Sequence, residues 1–210
     1  MKKLRLPILF FLSFLFLFLF FGFTLVIKEK LLGSNFDFNT TVRLQDHIPR
    51  EYDQFFSSLS LVGSFEILSV FIFLIALFQK KIKAFFIFIP FIAAHVVEII
   101  GKSFFHHPGP PFMFFRYNLG FLFPSSYVNT GSSYPSGHSL RIVFVSIIIA
   151  YLVKKSKFKL VSKLIFYSII LLLLGFTLVS RVSLGEHWTS DVIAGALLGI
   201  SSGFFAVIFL

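Results

Sequence analysis

The stretch YPSGHSLRIVFVSIIIAYLV, residues 134–153, decides the fold. From Leu140 to Val153 only Arg141, Ser146 and Tyr151 interrupt an apolar run. A transmembrane helix needs roughly 17–25 such residues, and the segment from about Gly137 to Val153 supplies a short span. Its opening turn, Tyr134 to Ser139, is polar and belongs at a water boundary. Ser136 is a good helix N-cap residue, with Pro135 just before it. The first turn of such a helix leaves N–H groups unpaired at the positive end of the helix dipole, which favours phosphate. Gly137 lets an oxyanion approach the backbone, and His138 brings a proton donor. Taken alone, the same residues also describe an ordinary capped helix.

Composition places the whole chain in the bilayer. Of its 210 residues 57% are hydrophobic and only 13% charged, against about 45–50% and about 25% in soluble domains. The 34 phenylalanines suit lipid and say little about function. With no cysteine, disulfide frameworks and thiolate chemistry are excluded. Six spans are expected: about Leu6–Ile27, Leu59–Phe78, Ala84–Ile100, Gly137–Val153, Leu164–Val179 and Trp188–Leu210. The first follows Lys2, Lys3 and Arg5 as a signal peptide would. Its apolar length and lack of a small-x-small cleavage site read as a retained span.

The net charge of +10 follows membrane topology rather than nucleic-acid binding. Eleven of the nineteen basic residues lie at the amino terminus (Lys2, Lys3, Arg5), in the second–third loop (Lys80, Lys81, Lys83) and in the fourth–fifth loop (Lys154, Lys155, Lys157, Lys159, Lys163). No acidic residue accompanies them there. Six spans put all three on one side, and the positive-inside rule makes that side cytoplasmic, with both termini inside. The other side receives residues 28–58, a partly helical surface loop, then residues 102–136, rich in Pro, Gly, Ser, His and Phe, and the turn from Ser180 to Glu186. No repeat or separate soluble domain is visible.

Two further polar clusters reach that outer face. In the first, Ser180 to Asp191, His187 and Asp191 are four apart, a helical spacing that brings them within reach. A carboxylate on one imidazole nitrogen fixes the tautomer and leaves the other as a nucleophile. Arg181 offers a planar fork of donors to phosphate. The blander alternative is a surface salt link, but Asp191 lies one turn inside an apolar span, where ionisable groups are functional by default. Trp188 reads as an interfacial anchor. In the second cluster, Lys102 to Pro111, Lys102 would snorkel outward in any case. His106 and His107 lack the companions of a metal site. Glu66, His95 and Glu98 also stand in apolar surroundings, and Glu98 precedes Lys102 by four residues, the spacing of an ion pair.

These residues resemble the type 2 phosphatidic acid phosphatase family, integral membrane lipid phosphatases related in fold to the vanadium haloperoxidases. Pro135-Ser136-Gly137-His138 matches one family signature. Ser180-Arg181, five residues, His187, three residues and Asp191 match another in full. The resemblance implies an all-α polytopic fold, with residues 1–210 as a single membrane-embedded phosphatase domain whose motif-bearing core runs from about 84 to 210. It implies that His187 attacks phosphorus and carries a phosphohistidine, that Asp191 orients it, and that His138 protonates the leaving oxygen and then activates water. Lys102, Ser136, Gly137 and Arg181 would hold the phosphoryl oxygens. No metal or other cofactor is implied, since basic side chains and helix N-termini supply the positive field.

The remaining signature calls for Lys, six residues, then Arg-Pro, but Lys102 is followed by Gly109-Pro110. Losing such a donor can cost about 3 kcal/mol of transition-state stabilisation. Arg141, three residues after His138 on the same helix face, is the expected replacement, with His107 and Arg116 as weaker candidates. The apolar loop Pro110 to Phe115 beside the site suits the headgroup region. The expected partners are therefore the bilayer and a lipid phosphate or diphosphate, such as an isoprenyl diphosphate, phosphatidylglycerol phosphate or phosphatidate. Nucleic acid is not expected. The expected setting is a multi-pass protein of the cell membrane with its site on the extracytoplasmic side. The rivals are a lipid-phosphate binder or transporter, a weak relative disabled by Gly109, and a scaffold whose clusters merely cap helices. Oligomeric state is not legible.

Overall fold

The computed structural model describes residues 2–31, 35–121, 123–124 and 131–210. Every regular element among them is helical: α1 Lys2–Lys28, α2 Phe36–His47, α3 Asp53–Val62, α4 Phe65–Phe78, α5 Phe88–Phe104, α6 Gly137–Lys155, α7 Leu160–Ser183 and α8 Thr189–Val207. A 3₁₀ segment, Ile82–Ile87, leads into α5. Within the long segment between α5 and α6, residues 122 and 125–130 lie outside the described set.

Among the described residues five helices are long and apolar enough to cross a bilayer, and one bent pair passes the same test only when its two halves are taken together. That pair departs from the expected continuous second span. The helix breaks at Gly63 and Ser64, and its halves meet at 49°. Ser64 starts α4 by accepting the Ile67 N–H at 3.4 Å. With 14 residues, α4 reaches only about 21 Å, too short for a hydrocarbon core of about 30 Å. α3, which starts in the segment expected as a surface loop and ends inside the expected second span, supplies the remainder. The fifth span is longer than expected at both ends, which carries Arg181 and Ser183 onto α7.

α6 and α8 form the centre. In these helices 56% and 67% of the best spanning window is buried, against 11% and 6% in α1 and α7, whose flanks are left to lipid. The closeness of the central pair comes from three glycines of α8 spaced by four, so that they line one face. A Cβ at 195 would stand 2.2 Å from the Ser136 carbonyl oxygen, one at 199 would stand 2.5 Å from that of Leu140, and one at 203 would meet Ile147 at 3.0 Å. Small residues let helix backbones approach where no hydrophobic effect drives association in lipid. α1 closes on the other side of α8, where Ser13 and Ser201 each donate a hydroxyl to the other's carbonyl, at 2.9 and 2.8 Å. Leu68, Ile72, Phe91, Phe144 and Ile148 fill the core between α4, α5 and α6.

The starts of α6 and α8 and the ends of α5 and α7 gather at one end of the bundle. At the opposite end Lys155 donates to the carbonyl of Leu210 at 2.7 Å. Substituting Gly195 or Gly199 with alanine should lower the melting temperature in detergent, because tight backbone contacts tolerate added bulk at a cost of about 1–3 kcal/mol. At Gly175 on α7 an added Cβ would meet nothing within 4 Å, so Gly175→Ala should leave melting unchanged or raise it. Thermal melts of the three variants check this.

Candidate active site

Two backbones meet first. The Ser136 N–H donates to the carbonyl of Asp191 at 3.0 Å, fastening the start of α6 to the first turn of α8. The Ser136 hydroxyl accepts the Ser139 hydroxyl at 3.0 Å and the Ser139 N–H at 3.4 Å, so α6 starts where its N-cap predicts. His138, Arg141 and Gly137 project from its first turn and a half.

His187 is not on a helix. It lies in the turn between α7 and α8, with Trp188 at the N-cap and Asp191 at the third helical position. The pairing survives this change. His187 Nδ1 is 3.6 Å from Asp191 Oδ2, and the same oxygen accepts the Trp188 N–H at 2.9 Å. The turn is set by Gly185, whose φ of +66° is unfavourable for any side chain. A Cβ there would also stand 2.2 Å from the Phe114 carbonyl oxygen. Trp188 does more than anchor: its indole N–H donates to the Pro108 carbonyl at 2.8 Å and holds the loop that follows α5.

That loop delivers His107 to the same carboxylate. His107 Nδ1 lies 3.0 Å from Asp191 Oδ1, and its Nε2 lies 3.9 Å from Asp37 Oδ2. Asp37 in turn accepts the Ser190 N–H at 2.8 Å and the Ser190 hydroxyl at 2.6 Å. An acid at a helix N-terminus is favoured by the dipole; here it comes from α2, 153 residues away in sequence. Sequence reasoning missed Asp37 altogether, since nothing local distinguishes it from other polar residues of a surface helix. His107, a candidate phosphate donor in place of the missing arginine, has carboxylates for neighbours instead. Arg116, the other stand-in, donates to the carbonyls of Ile48 and Gln45 at 3.0 Å each and thereby closes the end of α2.

Burial pushes the His187 imidazole below its ordinary value, Asp191 pulls it back, and Arg181 and Lys102 push the same way as burial. At His107 burial also acts downward, but the carboxylates of Asp191 and Asp37 outweigh it and hold the ring above its ordinary value.

The cations converge from three helices. Arg181, at the end of α7, is 2% exposed. It pairs with Glu186 and donates to the Ser60 hydroxyl of α3, while its Nε has no hydrogen-bond partner among the described residues. Lys102 donates to Glu98 at 2.7 Å, forming the expected pair. Glu98 lies against the start of α6, where a Cβ on Gly137 would stand 2.1 Å from its Oε1. Arg141 is buried among His138, His95, Glu98 and the Gly63 carbonyl, with Glu66 also within electrostatic range. His138 feels the charges of Arg181, Arg141, His187 and Lys102. Both imidazoles thus face one cationic cluster at one end of the bundle. Such a cluster can hold an anion, with the His187–Asp191 pair presenting a ring nitrogen to it.

A sequence profile of the PAP2 superfamily matches residues 82–210. No curated protein sequence matches the chain. Among solved structures, the chain is similar to a transmembrane PAP2-type phosphatidylglycerolphosphate phosphatase from Bacillus subtilis. That match has a TM-score of 0.74 and 21% identity, and covers 93% of this chain and 94% of the other. It is also similar to LpxE from Aquifex aeolicus, with a TM-score of 0.62 and 20% identity over 82% of this chain and 94% of that one. At these identities the two structures speak for the fold.

Because His107 is held above its ordinary value by two carboxylates, its pairing stabilises the fold fully below the unfolded-state value of about 6.5. That stabilisation fades as pH rises from there through its elevated value. The difference in melting temperature between the wild type and His107→Gln should therefore shrink as pH is raised above about 6.5. In an NMR titration His187 should titrate below that pH and His107 above it.

Proposed function

The chain belongs to the PAP2 superfamily, and on that premise we propose that it is a metal-independent lipid phosphatase working through a phosphohistidine at the outer membrane face. The observation that carries the reading is the meeting of the His187–Asp191 pair with the start of α6, fastened by the Ser136–Asp191 backbone bond. In this reading His187 turns Nδ1 toward Asp191 and attacks phosphorus with Nε2. The Nε of Arg181, which has no hydrogen-bond partner among the described residues, Lys102 and the first-turn N–H groups of α6 take the phosphoryl oxygens, so positioning and charge supply most of the catalysis. His138 faces the leaving oxygen. The intermediate is then hydrolysed by water.

The substrate class follows from depth and surface. Phe104, at the end of α5, is 86% exposed, and Phe112 and Met113, on the loop that Trp188 ties beside His187, are 87% and 75% exposed. Apolar side chains bared next to a cationic cluster suit a substrate whose phosphate is held at the headgroup level while its tail stays in lipid. A lipid phosphate or diphosphate fits this better than a soluble sugar phosphate. The outer-face assignment rests on the lysine-rich second–third and fourth–fifth loops, which belong to the end of the bundle away from the site.

Purified protein in detergent should release inorganic phosphate from at least one of phosphatidate, phosphatidylglycerol phosphate and an isoprenyl diphosphate. Vanadate should inhibit, and quenching into alkaline denaturant, which preserves the acid-labile P–N bond, should trap phosphate on His187. His187→Ala should reduce release to background with melting unchanged. Tight binding of these lipids with no release from the wild type would favour a binding or transport protein.

Gly109 has room for a side chain, since a Cβ there meets only Ser133 at 3.5 Å. Gly109→Arg should fold normally and raise kcat/KM, by up to about 100-fold if it restores a full phosphate donor. Kinetics on the preferred lipid check this.

A further inference from the structure

The Asp191 carboxylate is shared by two imidazoles. His187 Nδ1 lies 3.6 Å from its Oδ2, and His107 Nδ1 lies 3.0 Å from its Oδ1. The two rings differ at their other edge. His107 Nε2 lies 3.9 Å from Asp37 Oδ2, so both nitrogens of His107 look at carboxylate oxygens. A neutral imidazole has one N–H and one bare nitrogen, and here the bare one would aim its lone pair at an anion. The doubly protonated ring donates in both directions. Around His187 the charges other than Asp191 are Arg181 and Lys102, and a second proton on that ring would add another cation beside them.

The chain around His107 fixes its place. Its carbonyl accepts the Ser133 N–H at 2.9 Å and the hydroxyls of Ser132 and Ser133 at 3.3 and 3.1 Å. The next residue, Pro108, is held by the Trp188 indole. Asp37 is fixed as firmly, since it accepts both the N–H and the hydroxyl of Ser190. The charged groups facing His107 are therefore Asp37 from α2 and Asp191 from α8, with His187 across the Asp191 carboxylate. The Tyr134 ring stands edge-on to it, with centroids 5.9 Å apart, and burial keeps that phenol protonated. Asp37, His107, Asp191 and His187 thus form an alternating line of acids and bases, running from α2 to the turn before α8.

We propose that His107 is a positioning residue for the nucleophile, holding against Asp191 the proton that would otherwise go to His187. This rests on the reading of His187 as the attacking group. An imidazolium at 107 weakens the pull of Asp191 on His187 and repels a second proton there. His187 then stays neutral to lower pH, with its one proton on Nδ1 toward Asp191 and Nε2 bare for phosphorus. A less basic His187 is also a better leaving group when water takes the phosphoryl group from it. As pH rises through the titration of His107 the effect is lost, but there His187 is neutral without help.

The test is the titration of both rings by ¹⁵N-histidine NMR in detergent micelles, for the wild type, His107→Gln and His107→Arg, alongside pH profiles of kcat/KM. The profiles use whichever of phosphatidate, phosphatidylglycerol phosphate and an isoprenyl diphosphate the wild type cleaves. At about pH 6.5, the ordinary histidine value, wild-type His107 should be protonated on both nitrogens while His187 carries one proton, on Nδ1. His107→Gln keeps a donor for Asp191 without the charge. In it His187 should titrate about one pH unit higher, the low end of what a nearby charge does. The acidic limb of kcat/KM, which reports the free enzyme, should move with it. The loss is then about tenfold on that limb and vanishes near about pH 8, where an imidazole of ordinary basicity is neutral. His107→Arg, permanently charged, should return both readings to those of the wild type. A ring needed only to hold the loop would lower activity equally at every pH. The proposal is overturned by a wild-type His187 that takes its second proton before His107 does, by a His187 titration unmoved in His107→Gln, or by His107→Arg behaving as His107→Gln. If none of the three lipids is cleaved, the phosphatase reading falls, and the NMR titrations still decide where the proton sits. The wild-type titration alone decides it if the variants fail to fold.

Discussion

The close approach of α6 and α8 is the contact on which everything else depends. Three glycines let α8 lie against the backbone of α6, and in lipid that packing is itself the driving force, since apolar side chains gain nothing by leaving hydrocarbon for one another. The seam ends at the Ser136–Asp191 backbone bond. Two helix N-termini are thereby placed side by side, and their dipoles add at the same place. An anion-binding corner exists before any side chain is considered. The residues of PSGH and of the His187–Asp191 pair then occupy it from two sides.

Such a corner gathers charge in a medium that resists it, and the chain answers by pairing. Glu98 neutralises Lys102 and stands near Arg141; Glu186 pairs with Arg181; Asp191 lies between His187 and His107. Removing one partner of a buried pair is costlier than the pair is stabilising, so these contacts fix geometry more than they add stability. The break in the second span belongs to the same logic. A continuous helix would keep the Gly63 carbonyl for its own ladder. The bend turns it to Arg141, which in turn holds two histidines.

The cap at this end of the bundle is built from segments that look unremarkable one by one. α2 brings Asp37 to the start of α8, and its Gln45 amide donates to the carbonyls of Phe114 and Ser183 at 2.7 and 2.9 Å. Thr40 and Thr189 share a hydroxyl hydrogen bond of 2.7 Å. Near the other edge, Tyr134 meets Thr24 of α1 at 2.7 Å. Exposed Phe112 and Met113 mark where this cap gives way to an apolar surface.

The sequence by itself determined that the chain is built of membrane-spanning helices and where most of them lie, because hydropathy and helix caps are local properties read over one or two turns. It also pointed to the meeting of His187 and Asp191, though through helical spacing, where the structure brings them to 3.6 Å across a turn and the start of α8. It did not show that His187 precedes α8, that the second span breaks at Gly63, or that Arg141 belongs to His138 and His95. Nor did it show that Asp37 caps a helix 153 residues further on, or that Gly195, Gly199 and Gly203 make the central seam. Those were decided by tertiary structure alone. Each depends on which carbonyl, carboxylate or backbone a distant helix brings within about 3 Å, the length of a hydrogen bond, and no pattern along the chain encodes that meeting.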